Sequence, residues 1–233
     1  MRAILPLLVV ACGAVLSVEP AAARLQRDAD TWIETELARE SFNSANWRER
    51  WVVEGAPELS VRDGRLVVVT EQATLWWREP LPANVAITLT AGVDGPAENN
   101  AANLNLILHA RELDGRAYRF GRSARYEDYH AIPNYIVTLT GGFQEGWSRL
   151  RRNPGFTILS EERSTRSEVG RTYQIRVLLA DGRVRYWLDG KLIHDAVDPK
   201  PLPGGHFALR TWRSRVWWSD IRLVEVSRKT KSR

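Results

Sequence analysis

Between Tyr126 and Phe156 the chain reads YEDYHAIPNYIVTLTGGFQEGWSRLRRNPGF, and most of the side chains able to do chemistry fall in this stretch. Tyr129 and His130, beside Asp128, and Tyr135 further on offer phenols and an imidazole that can take or give a proton. Trp147, Arg149 and Arg151 alternate, which puts them on one face of a strand. There an indole can stack on a ring while guanidiniums grip a carboxylate or sulfate in bidentate fashion. Three such side chains cannot all enter an apolar core. The alternative is a solvated convex face with Trp147 partly covered by a loop. Arg152 points the other way and reads as structural.

A second strand adds to this inventory. Asn103 to Ala110, NLNLILHA, puts Leu104, Leu106 and Leu108 on one face and Asn103, Asn105, Ile107 and His109 on the other. The leucines require a core, and the opposite face presents two amides and an imidazole in a row. His109 also fits a half-buried structural role, and His130 a loop-orienting one. Tyr126, Trp187, Trp212, Trp217 and Trp218 are assigned to core or rim. Trp212 joins the site if its strand lines a concavity. The candidate catalytic set is therefore His130, His109, Tyr129 and Tyr135, and the candidate binding set Asn103, Asn105, Trp147, Arg149, Arg151 and Trp212. No His pair or carboxylate cluster has metal-ligand spacing, so no metal or cofactor is expected from the residues themselves.

These residues need strands to position them, and strand signals run through the chain. Asp63-Gly64, Asp181-Gly182 and Asp189-Gly190 each sit between apolar runs, the strongest short-range sign of a hairpin. Phe42 to Trp51 reads as an opening strand, and Phe207 to Trp212 and Val216 to Val226 as the closing ones. Some eleven to fourteen short strands, with no helix long enough to cover a sheet, mean sheet packed on sheet. At 233 residues one large domain is expected. Residues 41–227 are assigned to it, with a polar lead-in at 24–40 that tolerates a short helix and a basic tail at 228–233.

The first 23 residues read as a signal peptide: Arg2, an apolar run from Ala3 to Val18, and a small-residue cleavage site at Ala21, Ala22 and Ala23. A lipobox reading of Val9-Val10-Ala11-Cys12 competes with it and would leave Cys12 lipidated. Either way the protein is expected to be periplasmic or secreted. No later apolar run is long enough to span a bilayer. Net charge is +5. Its plain reading is a solvated surface; its sharper reading is an anionic partner. No nucleic-acid motif is visible, so an acidic polysaccharide is the more natural anion. Ten Trp against one Met and one Cys fit β structure with an aromatic face. Oligomeric state is not legible.

The run YQIRVLLADGRVRYWLDGKLIHD followed by GGHFALRTWRSRVWWSDIRL resembles the C-terminal half of concanavalin A-like lectin/glucanase domains. The likeness extends loosely over residues 40 to 226. DYHAIPNYIVTLTGG and GWSRLRRNPGF resemble a narrower, uncharacterised YesU-like group associated with bacterial polysaccharide breakdown. The resemblance implies an all-β, concanavalin A-like jelly-roll β-sandwich of two curved antiparallel sheets whose concave face holds carbohydrate. By family analogy it allows a structural calcium near Asp220. The Glu-x-Asp-x-x-Glu signature of hydrolases on this fold is absent from the sequence, which disfavours that route. Polysaccharide lyases on the fold use Tyr or His as base and acid, with Arg, Asn or Gln neutralising a uronate carboxylate, and those residue types are present. The expectation is an exported enzyme acting on an acidic or rhamnose-containing bacterial or plant glycan, with β-elimination preferred over hydrolysis. A non-catalytic carbohydrate-binding module and a structural cell-envelope protein are the alternatives.

Overall fold

Each of the three Asp-Gly pairs turns a hairpin with both residues at positive φ, 50° and 69° at Asp63-Gly64, 50° and 78° at Asp181-Gly182, and 51° and 78° at Asp189-Gly190. Only such turns match the twist of the flanking strands in two residues. The computed structural model describes residues 32–95, 100–141 and 146–229. The expected signal segment at 1–23, and most of the basic tail, lie outside them.

Thirteen strands occur among the described residues: β1 (Trp32–Glu40), β2 (Trp51–Gly55), β3 (Glu58–Arg62), β4 (Arg65–Trp77), β5 (Val85–Val93), β6 (Leu104–Ala110), β7 (Asn134–Thr140), β8 (Trp147–Asn153), β9 (Thr157–Glu162), β10 (Thr172–Ala180), β11 (Arg183–Leu188), β12 (Lys191–Val197) and β13 (His206–Arg228). Two short helices, α1 (Trp47–Arg50) and α2 (Tyr126–His130), interrupt them. All pairings are antiparallel, along the path β12-β11-β10-β5-β13-β6-β7-β8-β9.

The path folds into two sheets because β4 and β13 run through both. The first half of β13 pairs with β6 and its second half with β5, while β4 stays beside it from Ala208–Trp76 to Trp218–Leu66. The closing strands expected separately are thus one bent strand, with left-handed residues at Arg213 (φ 44°) and Asp220 (φ 50°). The front sheet comprises β2, the end of β4, the start of β13, β6, β7, β8 and β9. The back sheet comprises the remaining strands and the other halves of β4 and β13. The core lies between them, and Leu104, Leu106, Leu108, Tyr135, Val137 and Leu139 all point into it as their alternation requires.

Two segments differ from their sequence reading. Residues 32–40, expected within a polar lead-in, form edge strand β1 against the end of β13. Arg222 bonds Glu34 and Glu36 there at 2.9 and 3.0 Å, so a ladder and ion pairs hold a segment that has little apolar face. Phe42 to Trp51, expected as a strand, contains the turn of α1. Phe42, Trp47 and Trp51 must all turn inward, and the Phe42 ring centroid lies 6.0 Å from each of the other two.

The outward face of the front sheet is half covered. Residues 111–133, including α2, lie over Trp76, Ile107, Ile136 and Ala208 and bury Tyr118, Tyr129 and Ile132 against them as a second, smaller core. Its polar centre is Glu54, 3% exposed. That carboxylate accepts hydrogen bonds from Trp76 Nε1 (2.8 Å), Tyr129 OH (2.7 Å), Tyr118 OH (2.9 Å), and the backbone N–H groups of Gly121 (2.8 Å) and Arg122 (2.9 Å). A buried charge is tolerable when its lone pairs are this fully used.

Candidate functional site

The uncovered half of the same face is a cleft of about 460 Å³, lined from β4, β6, β7, β8, β13 and α2. Strand register explains its composition. Gln72 lies opposite Trp212, and Thr140 opposite Trp147. One row across the sheet therefore runs Gln72, Trp212, Asn103, Thr140, Trp147, with Asn103 two residues ahead of Asn105. The next row runs Thr74, Arg210, Asn105, Thr138, Arg149. The third, Trp76, Ala208, Ile107, Ile136, is the apolar row under the 111–133 cover. The cleft is thus open over two polar rows and walled by Tyr126 and Glu127 of α2 where the third begins.

Two buried arginines dominate its floor. Arg151 is opposite Ile136 in the ladder, but its guanidinium reaches back to donate to Thr138 Oγ1 (3.1 Å) and Tyr126 OH (2.9 Å). Arg210 lies 4.3 Å from the Tyr126 ring centroid and makes one long bond, 3.4 Å, to the carbonyl of Ala124. Their exposures are 3% and 2%, and neither has a carboxylate partner among the described residues. Burial lowers the pKa of Arg210 from its ordinary value, while the ring systems and Glu127 act against that. The Nε of each, the Oδ1 of Asn103 and Asn105, and the indole N–H of Trp147 are buried with no partner among the described residues. Five such atoms meet in this cleft, where water or a ligand can complete them.

Of the expected binding residues, Asn103, Asn105, Trp147, Arg151 and Trp212 line this cleft together. Arg149 shares their face but is neutralised: it pairs with Glu161 on β9 and lies 4.5 Å from the Trp147 ring centroid. The expected catalytic residues are elsewhere. Tyr129 is fully buried, donates to Glu54, and has its pKa raised by burial and by that carboxylate. Tyr135 lies between the sheets, donating to Asp198 (2.7 Å), and burial raises its pKa too. His109 leaves the face shared by Asn103 and Asn105 because the ladder breaks after Ile107 and His109 takes φ 53°. It packs beside Tyr135, centroids 6.3 Å apart, with burial holding its pKa down to about 4. His130 sits behind the cleft wall between Tyr126 (4.2 Å) and Phe156 (4.6 Å), with its pKa lowered to about 4 by burial and by Arg151 and Arg210.

The sequence reading missed Arg210, Tyr126, Glu127, Gln72, Thr138 and Thr140. For Arg210 the signal existed, since it stands two residues before Trp212 and shares its face. Thr138 and Thr140 follow equally from the alternation that sends Tyr135 inward. Tyr126 had no such signal, because a five-residue helix in a cover segment has no period to read. No group of three or more His, Cys, Asp or Glu able to hold a metal occurs among the described residues. Asp220, near which the analogy allows a structural calcium, accepts a hydrogen bond from the neighbouring Ser219 (3.1 Å).

A two-sheet antiparallel sandwich hollowed on the outward face of one sheet defines a galectin-like, concanavalin A-like domain. Residues 67–221 match the family described as a domain of unknown function, DUF6250, and the chain belongs to that family. Among solved structures it is similar to a protein of unknown function with galectin-like fold from Bacillus subtilis, at 18% identity over 84% of this chain and 100% of that one, TM-score 0.71. It is similar to the carbohydrate-binding module CBM66 from Bacillus subtilis, at 12% identity over 74% and 93% of the two chains, TM-score 0.53. The Ca2+/Man-bound form of the VIP36 exoplasmic/lumenal domain is likewise similar, at 11% identity over 79% and 91%, TM-score 0.55. At these identities the shared property is the fold. No curated protein matches the chain in sequence.

Proposed function

We propose that the protein binds an acidic oligo- or polysaccharide in the cleft on the outward face of its front sheet, in an extracytoplasmic compartment. The observation that carries this reading is the pair Arg210 and Arg151, both buried and without a salt bridge among the described residues, on a floor that also holds the unsatisfied amide oxygens of Asn103 and Asn105. An anionic group on the ligand neutralises the guanidiniums, its hydroxyls donate to the amides, and its rings stack on Trp147 and Trp212. That a carbohydrate-binding module and a Man-bound domain share the fold supports the ligand class. The likeness of DYHAIPNYIVTLTGG and GWSRLRRNPGF to the YesU-like group belongs with the same reading.

A second reading, elimination, is favoured by one contact: the phenol oxygen of Tyr126, in the cleft, accepts from Arg151 Nη1 at 2.9 Å. Tyr126 would remove the proton α to a uronate carboxylate while Arg151 and Arg210 hold that carboxylate. The electron pair forms the C4–C5 double bond, the C4–O bond breaks, and the leaving oxygen takes a proton. Hydrolysis by two carboxylates has less support, since Glu127 is the one carboxylate lining the cleft among the described residues.

The test is a panel of pectin, alginate, hyaluronan, heparan sulfate and neutral glucan, run both as affinity gels and as solutions followed in the ultraviolet. Retention on an acidic polymer that Arg210→Met abolishes, without absorbance change, is the outcome expected of a binding protein. Absorbance that rises and is lost in Tyr126→Phe identifies elimination. Equal indifference to every polymer overturns the proposal.

A further inference from the structure

The two indoles of the cleft are at opposite ends of one row. Trp147 on β8 and Trp212 on β13 are separated by β7 and β6, that is by three inter-strand steps, and both line the cleft half-exposed. Three steps are about 14 Å. A pyranose ring with its linkage, made of bonds of about 1.5 Å, spans on the order of 5 Å. One sugar can therefore touch one indole but not both.

The cleft is also directional. Along the strands it is stopped on one side by the 111–133 cover, which packs Tyr129 and Ile132 onto the row beginning at Trp76. A long ligand has to run across the strands instead, over Trp212, Asn103, Thr140 and Trp147. Charge divides that path. Near Trp147 the guanidinium of Arg149 is already neutralised by Glu161, whereas Arg210 and Arg151, both beside the Tyr126 ring at 4.3 and 5.4 Å, make no salt bridge among the described residues.

Resting on the proposal above, we infer that the cleft recognises an internal stretch of at least three sugar rings lying across β13, β6, β7 and β8, anchored by an acidic unit at Arg210 and Arg151 and reaching Trp212 and Trp147 at its two ends. A terminal monosaccharide is not its ligand. The two outer contacts add to an anchor that alone is weak, so affinity depends on length with a step where the second indole is reached.

The test uses the polymer retained in the panel, cut to size-defined fragments of one to six units, with dissociation constants measured by calorimetry. Affinity is expected to rise by about three- to tenfold, the range of one aromatic contact, between two units and four, then level off. Trp147→Ala is expected to remove that step, so that the six-unit fragment gains no more over the two-unit one than noise. Thermal melts of wild type and variant establish that both are folded. A single unit binding as tightly as six, or a step that survives Trp147→Ala in a folded variant, overturns this inference while leaving the binding proposal standing. If no polymer in the panel is retained, both fall.

Discussion

The guanidinium of Arg210 lies 4.3 Å from the ring centroid of Tyr126 and 5.9 Å from that of Tyr129, a cation buried among phenols with no salt-bridge partner among the described residues. Cation–π contact recovers only part of the cost of desolvating it. The fold does not need this charge. Arg210→Met fills the same space without it and is expected to stabilise the protein by about 1–2 kcal/mol, raising Tm by about 3–6 °C, while ligand retention is lost. Differential scanning calorimetry and the affinity gel measure the two effects. A fall in Tm would mean that Arg210 holds the fold and would remove its claim to hold a ligand.

Glu54 is the fastening of the cleft wall. Its carboxylate collects the indole of Trp76, the phenols of Tyr118 and Tyr129 and two backbone N–H groups, and all but Trp76 belong to the cover segment that carries Tyr126. Glu54→Gln keeps the volume but replaces an acceptor oxygen by a donor, leaving several buried donors facing one another. The expected loss is about 2–4 kcal/mol in urea unfolding. Hydrogen exchange should localise the loosening to residues 111–133 while the inter-sheet core keeps its protection. Uniform loss of protection would mean that this segment is not a separate unit.

The fold was legible because period and turn chemistry agree over most of the chain. The Asp-Gly corners and the leucines of β6 each specify a local structure that the sandwich also requires. The lining of the cleft was legible for the same reason. Asn103, Asn105, Trp147 and Arg151 are polar or aromatic residues on alternating positions in and beside β6 and on β8, so outward direction follows from period, whereas Trp212 has Arg213 beside it in the cleft at the left-handed bend of β13. The proton-transfer candidates were chosen by residue type without that support. His109 turns away through a left-handed residue that breaks the period, and Tyr129 lies in an aperiodic cover whose burial depends on Glu54, 75 residues away in sequence.

Gly141 closes the β7 end of the cleft, directly after Thr140. A Cβ there would stand 1.6 Å from the carbonyl oxygen of Ser167, whose own hydroxyl is tied to the carbonyl of Ala102. Backbone cannot retreat as a flexible side chain can. Gly141→Ala is expected to cost about 3 kcal/mol in urea unfolding and to displace Thr140 from the row of the cleft, weakening ligand retention with it. An unfolding midpoint equal to wild type would show that these two segments can part without consequence.

Acid should unfold the protein through its histidines. Burial holds His109 and His194 down to about 4, His194 being enclosed by Ser148 Oγ (2.8 Å) and Ser160 Oγ (2.9 Å). His130, partly exposed, is lowered to about 4 as well, by burial and by Arg151 and Arg210, and contributes less. Each is depressed below its value near 6.5 in the unfolded chain, so between those limits the unfolded state binds more protons and stability rises with pH. The stability is fully present above about pH 6.5 and is lost progressively as pH falls toward 4. A fully buried histidine displaced this far accounts for on the order of 3 kcal/mol across the window. Urea midpoints measured from pH 7.5 to 4.5 should therefore fall steeply below 6.5, and replacing His109 by Gln should flatten that slope by about one proton's share. A midpoint insensitive to pH across the window would mean that His109 and His194 gain protons as readily in the folded chain as in the unfolded one.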